Sequence, residues 1–146
     1  MYVFLINEDN SMITTKEQRI VQKSNLVDEL WFLTSPTYNG HRMEEFNAQL
    51  EYTLPASGRY RSETLVRSEN YNNYLKYILP VDSDLTSEAG NIDLKISFTQ
   101  MEKMDSGRII KRVRKIIPTT VTIIPILDWD NIESEGELDA VNVVLI

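Results

Sequence analysis

The sequence predicts an all-β fold, an antiparallel β-sandwich of about eight strands. Apolar and polar residues alternate with a period of two along most of the 146 residues, and helical periodicity is hard to find. Turn-forming residues interrupt this alternation about every 8 to 12 residues. A strand with one buried and one solvated face requires this pattern, because successive side chains point to opposite faces of a sheet.

Two segments show the alternation most clearly, Met43 to Leu54 and Ile92 to Thr99. In the first, every second residue from Phe46 to Leu54 is apolar and the residues between them are polar. We expect both segments to be strands with one face in the core. Weaker patterns predict further strands at Tyr2 to Ile6, Met12 to Thr15, Arg19 to Lys23, Leu26 to Thr34, Tyr60 to Arg67, Tyr74 to Leu79, Ile109 to Ile116 and Val121 to Ile126.

Turn chemistry places the connections between these strands. Asp105-Ser106-Gly107 predicts a hairpin turn between a strand that ends near Met101 and one that starts near Arg108. The segment Pro80 to Gly90 is the one internal stretch that favours a helical turn. Asp82, Ser83 or Asp84 would cap that turn, and Gly90 would end it in the left-handed region.

The composition argues against the common kinds of enzyme. The chain has no cysteine and one histidine, so disulfides, thiolate zinc sites, iron–sulfur clusters and multi-histidine metal sites are excluded. His41 lies beside Gly40 and is predicted to be an exposed loop residue rather than a catalytic base. No G-x-S-x-G elbow or glycine-rich phosphate loop occurs. We therefore predict no catalytic residue, no cofactor and no bound metal, and apolar runs of about five residues predict no membrane span.

Charge divides the chain into two parts. All 15 Lys and Arg residues precede residue 128, whereas six of the 22 acidic residues follow residue 127. Residues 1–127 are therefore close to neutral and residues 128–146 are strongly acidic. Such a shift predicts a packed sandwich domain at 1–127 and an acidic, apolar-ended extension at 128–146.

The extension carries a cluster of apolar, mostly β-branched residues after its acidic run. It pairs with its own sheet as an edge strand, adds to a neighbour by strand augmentation, or begins a longer chain. Each alternative makes the segment an assembly element. The predicted contact residues are Leu138, Val141, Val143, Val144, Leu145 and Ile146.

A basic stretch runs from Lys103 to Lys115. A basic stripe is typical of phosphate recognition, but basic side chains also protect exposed strand edges, and an acidic protein is repelled from a polyanion. We therefore expect a protein partner here and no nucleic acid, with the acidic extension of a neighbouring subunit as one such partner. The predicted contact residues are Arg108, Lys111, Arg112 and Arg114.

Two further groups of residues allow a ligand interpretation. Asp82, Asp84, Glu88 and Asp93 could be read as a calcium loop, but Ser87 stands where the helix-loop-helix pattern needs glycine, so capping roles are preferred. Tyrosines and arginines mix between residues 59 and 74, as they do on protein interfaces and sugar-binding surfaces. This alternative places a carbohydrate site at Tyr60, Tyr71 and Tyr74.

The order of the predicted strands and their residue patterns resemble those of the N-terminal β-sandwich domain of tailed-phage structural proteins. The nearest group is the upper baseplate protein family of phages that infect Gram-positive bacteria, with related prophage virion proteins. The resemblance covers roughly residues 1–127 and includes no signature motif. The segments that carry it are Met1 to Ile6, Gln18 to Asp28, Glu45 to Tyr52 and Tyr74 to Leu94.

The resemblance implies a non-enzymatic, immunoglobulin-like building block that anchors a receptor-binding or fibre component. It implies protein partners, both other virion proteins and further copies of this chain in an oligomer that is often trimeric, in a particle assembled in the host cytoplasm. Family members usually continue into a helical or fibrous region after the sandwich. This sequence instead has the acidic extension there, which leaves a capsid-decorating or head-fibre role as an alternative.

Overall fold

The computed structural model describes residues 1–14 and 16–126, and within them nearly all regular structure is β. Met43–Glu45 form a single 3-10 turn. None of the described helical structure has the length and apolarity that a bilayer crossing needs. The strands are β1 Tyr2–Ile6, β2 Met12–Ile13, β3 Ile20–Val21, β4 Glu29–Thr34, β5 Thr37–Tyr38, β6 His41–Arg42, β7 Asn47–Thr53, β8 Tyr60–Thr64, β9 Val66–Tyr71, β10 Tyr74–Pro80, β11 Gly90–Lys103, β12 Ile109–Lys115 and β13 Thr119–Ile124.

Two sheets form the body of the molecule, which confirms the predicted all-β sandwich. One sheet has the strand order β2-β1-β4-β10-β9, and the other has the order β3-β13-β11-β7-β8 with β12 paired to β11. Strands β5 and β6 form a small separate hairpin. Most pairs are antiparallel as predicted, but β1 with β4 and β13 with β3 are parallel. Parallel pairs need long connections, and the alternation of single strands does not reveal them.

The core lies between the inner faces of these two sheets. From Phe46 to Leu54 the predicted apolar positions are all buried. The rings of Tyr77 on β10 and Phe98 on β11 meet edge to face with centroids 5.6 Å apart, which joins the two sheets. Strand β7 starts later than predicted, because residues from Met43 first make the 3-10 turn.

The segment predicted as one strand from Tyr60 to Arg67 is two strands in different sheets. Strand β8 pairs with β7, whereas β9 pairs with β10. The chain crosses between the sheets at Leu65, whose side chain is buried and whose N–H donates to the carbonyl of Ala48 at 2.9 Å. An apolar residue that breaks the polar alternation at this point marks a corner of the sandwich.

Strand β11 is the longest element and pairs with three others. One edge pairs with β7 at residues 95–99. The other edge pairs with β13 at residues 90–94 and with β12 at residues 97–103. The predicted hairpin turn at Asp105-Ser106-Gly107 is confirmed, since Gly107 has a φ of +85° and donates to the carbonyl of Met104 at 2.8 Å.

The connection from β10 to β11 contains the predicted turn. Asp82 is the capping residue, because its Oδ1 accepts a hydrogen bond from the N–H of Leu85 at 3.0 Å. Gly90 does not end the turn in the left-handed region. It begins β11 with a φ of +130°, and a Cβ built there would lie 2.9 Å from the Cβ of Pro55. The predicted boundary at residues 127 and 128 lies outside the described residues.

We predict that Gly90→Ala lowers the free energy of unfolding by about 3 kcal/mol, because alanine there combines an unfavourable φ with a collision against Pro55. Gly58→Ala is the control, since Gly58 has a φ of +72° but open space around it. The control should cost about 1 kcal/mol. Urea unfolding followed by circular dichroism measures both values, and equal losses would contradict the contact with Pro55.

Candidate interaction surface

The β11–β12 hairpin presents an apolar face to solvent, which we call the outer face. The register pairs Thr99 with Val113, Met101 with Lys111 and Lys103 with Ile109, so these side chains share one side of the hairpin. Three of them are aliphatic and largely exposed: Met101 at 64%, Ile109 at 61% and Val113 at 48%. Large aliphatic side chains gathered on one exposed face are typical of an interface.

Lysines alternate with these aliphatic residues on the outer face. Lys103, Lys111 and Lys115 are exposed, and none of them makes an ion pair within the described part of the chain. Arg108, the fourth exposed basic residue, lies next to the hairpin turn. The outer face therefore combines apolar contact area with positive charge.

The other side of the hairpin faces the sandwich and holds the remaining two arginines. Arg112 is half-buried and forms an ion pair with Glu102, and its Nη1 also lies 3.4 Å from Oε1 of Gln100. Arg114 is 7% exposed, which corrects its prediction as a surface contact residue. Strand parity explains the difference, because Arg114 lies opposite Phe98, whose side chain is in the core.

Neutral oxygen atoms surround the guanidinium of Arg114. Its Nε donates to Oδ1 of Asn10 at 2.8 Å, its Nη2 to the carbonyl of Asn7 at 3.2 Å, and its Nη1 to Oγ1 of Thr34 at 3.4 Å. The Tyr38 ring stacks 3.7 Å from the guanidinium carbon. No carboxylate in the described residues lies within ion-pair distance. Burial lowers the pKa of Arg114, but an arginine remains charged even so.

A groove of about 380 Å³ opens beside Arg114, between the β5–β6 hairpin and β12. Tyr38, His41 and Phe46 line one side, and Arg112 and Val113 line the other. His41 is exposed as predicted, although it lies in strand β6 rather than in a loop. Its ring meets that of Phe46 edge to face with centroids 6.3 Å apart.

The structure divides the three tyrosines of the carbohydrate alternative between the two sheets. Tyr60 lies on β8, whereas Tyr71 and Tyr74 face each other across the β9–β10 hairpin. The Tyr71 ring packs edge to face against Trp31 with centroids 5.9 Å apart. Tyr60 is 60% exposed and lines a shallow groove of about 200 Å³ with Asn91 and Asp93. The three side chains therefore do not form one site.

The four carboxylates of the calcium alternative also separate. No group of three or more metal-ligating side chains occurs in residues 1–14 and 16–126. Each carboxylate has a partner of its own: Asp82 accepts from the N–H of Leu85, Asp84 lies 3.6 Å from Nη2 of Arg61, Glu88 accepts from the N–H groups of Ala56 and Ser57, and Asp93 accepts from Oγ1 of Thr120. The N–H and hydroxyl donors from Ser57 lower the pKa of Glu88.

Asp82 and Asp84 lie instead near Glu63, a residue that the sequence analysis did not single out. Partial burial raises the pKa of Glu63, and the two aspartates raise it further. The Tyr52 hydroxyl beside this cluster is buried and has no hydrogen-bond partner among the described residues. Its pKa is raised, first by burial and then by the same carboxylates. The cluster is a polar seam between β8 and the turn at residues 82–86.

The aliphatic residues of the outer face were also missed. The alternation of Ile109, Lys111, Val113 and Lys115 is visible in the sequence, but it does not say which parity faces solvent. The predicted contact residues from Leu138 to Ile146 lie outside the described residues.

No protein-family model matches this chain, and no curated protein matches it. Among solved structures, the chain is similar to the N-terminal domain of phage TP901-1 ORF48. The two share 18% sequence identity over 85% of this chain and 96% of that domain, with a TM-score of 0.42.

We predict that Arg114→Met lowers the free energy of unfolding by about 2 kcal/mol, because oxygen atoms of Asn7, Asn10 and Thr34 lose their donor. Lys115→Met is the matched control. Its side chain is exposed, so the change should stay within about 0.5 kcal/mol. Denaturant unfolding compares the two variants, and equal stability would show that the Arg114 contacts contribute nothing net.

Proposed function

We propose that this protein is a structural component of a tailed-phage virion, a baseplate or tail-associated adaptor that anchors a receptor-binding or fibre component. It acts through contacts with other virion proteins and with further copies of itself, and it performs no catalysis. The observation that supports this function is the outer face of the β11–β12 hairpin, where Met101, Ile109 and Val113 are exposed together.

The chemistry of this face suits a protein partner. Burying the three aliphatic side chains against a neighbour would remove apolar area from water, at roughly 25 cal/mol per Å². The surrounding lysines would form the polar rim of such an interface and favour an acidic partner during encounter.

The hairpin is also held firmly enough to serve as a docking element. Beyond Thr99, β11 pairs with β12 alone, so Met101 and Ile109 lie on an arm that extends past β7, and Val113 lies opposite Thr99 at the base of that arm. Arg114 anchors the base of this arm to the turn at Asn7 and Asn10. A fixed arm loses little conformational entropy when it binds, which favours affinity.

The resemblance of residues 1–127 to the sandwich domains of tailed-phage structural proteins supports the placement in a virion. In that family the sandwich is one unit of a larger assembly. Such a unit needs an exposed surface that contacts its neighbours, and the apolar arm offers one. A position on the capsid, as a decoration or head-fibre protein, would use the same face. Gold-labelled antibodies against this chain on intact particles would distinguish the tail tip from the head.

We predict that purified particles of the phage that encodes this protein contain it. The double variant Met101→Glu, Ile109→Glu should be absent from these particles, because it places negative charge on the apolar outer face. Complementation of a strain that lacks the coding sequence, followed by quantitative mass spectrometry of particles, measures incorporation. Val27→Glu is the control, since Val27 is 86% exposed away from the hairpin. Absence of the wild-type chain from particles would refute the proposed function.

A carbohydrate-binding role is the second candidate, and the groove beside Tyr60 favours it. An exposed aromatic ring next to Asn91, Asp93 and Lys95 offers both a stacking surface and hydrogen-bonding groups for a sugar.

If this second role is correct, Tyr60→Ala abolishes binding on a glycan array while Tyr71→Ala, in the other sheet, retains it. Loss in both variants, or binding by neither the wild type nor the variants, would contradict a site at Tyr60.

A further inference from the structure

Strand β12 has an unpaired outer edge. Ile116 donates to the carbonyl of Ile96, and in an antiparallel ladder alternate residues face the same partner. Lys111, Val113 and Lys115 therefore direct their N–H and carbonyl groups away from β11. In residues 1–14 and 16–126 no strand pairs with that edge. An unpaired row of this kind is a template for another strand.

Charge distinguishes this edge from the other free edges of the described sheets. Strand β12 carries four basic residues and no acidic one, Lys111, Arg112, Arg114 and Lys115. Edge strands β8 and β9 each carry one arginine and one glutamate. A strand that adds to β12 should therefore be rich in carboxylates.

The segment of this chain with matching chemistry is the acidic extension. Residues 128–146 contain six acidic residues and no Lys or Arg. From Glu137 to Leu145 the sequence combines carboxylates with β-branched residues, which favour strands.

We propose that residues 139–145 of this chain pair with the outer edge of its own β12 as an antiparallel strand. In the register that places Val141 opposite Val113, Leu145 lies opposite Ile109 and Asp139 lies opposite Lys115. Each exposed aliphatic residue of β12 on the outer face then has an aliphatic neighbour, and the one charged pair is attractive. A slip of one residue would turn Val141 and Leu145 to the other face.

The topology favours the chain's own extension over that of a second copy. Strand β13 ends beside the start of β11, at the opposite end from the hairpin turn, so a strand that the extension adds to β12 would run towards that turn, antiparallel to β12. From Ile126 to Asp139 an extended chain spans about 43 Å. The distance along β11 to the level of Lys115 is about 30 Å. A tether of this length gives an effective concentration of about millimolar.

This inference goes beyond the proposed function, because the outer edge of β12 is available for pairing whether or not the protein belongs to a virion. The added strand would protect the free edge from unwanted pairing. It would also place Val141 beside Val113 and Leu145 beside Ile109, and so enlarge the outer face.

Disulfide trapping tests the proposal directly, because the chain has no cysteine of its own. The full-length variant Val113→Cys, Val141→Cys places two thiols at a separation of about 5.5 Å between Cα atoms, within the range that a disulfide spans. The control, Val113→Cys, Asn142→Cys, points the second thiol to the opposite face. Mild oxidation followed by peptide mass spectrometry and a non-reducing gel measures the bond.

We expect the first variant to form an intramolecular disulfide at least about fivefold faster than the control. Dimers joined through the same residues would overturn the proposal and assign the edge to a second copy, and equal trapping in both variants would overturn it as well. Lys115→Glu in the Val113→Cys, Val141→Cys background should slow trapping, and adding Asp139→Lys should restore it. Neither result depends on whether the protein enters a virion.

Discussion

Strand β11 organises the structure. It contributes Ile92, Leu94, Ile96 and Phe98 to the core from one face, and it pairs along both edges. Since every second side chain of this strand must enter the core, the parity of its partners is determined as well. Strand β12 has to direct Arg114 inwards and Val113 outwards because these residues lie opposite Phe98 and Thr99. The position of the outer face is thus a consequence of packing in the core.

Arg114 connects this sheet to the rest of the molecule. Its guanidinium reaches the turn after β1, the end of β4 and the ring of Tyr38, so two regions that are distant from β12 in sequence meet at one side chain. A buried charge without a carboxylate is costly, and several hydrogen bonds together with a stacked ring offset that cost. Arg114 therefore ties the base of the hairpin to these two regions.

Two kinds of surface then account for the proposed roles. The outer face of the hairpin is apolar and positively charged, which suits an acidic protein partner. The edge of β12 offers unpaired backbone groups, and the acidic extension complements its charge. The polar seam at Glu63, Asp82 and Asp84 has a different character, because burial and mutual repulsion there raise the pKa of Glu63.

By itself, the sequence determined the all-β class, most of the strands, the turn at Asp105-Ser106-Gly107 and the segregation of acidic residues after residue 127. These are local properties, because alternation and turn chemistry act between near neighbours in the chain. Only the tertiary structure decided that β8 and β9 separate at Leu65, that Arg114 is buried, and that Tyr60 lies apart from Tyr71 and Tyr74. Such outcomes depend on which sheet a strand joins and which of its two faces meets the core, and alternation alone is the same for both choices.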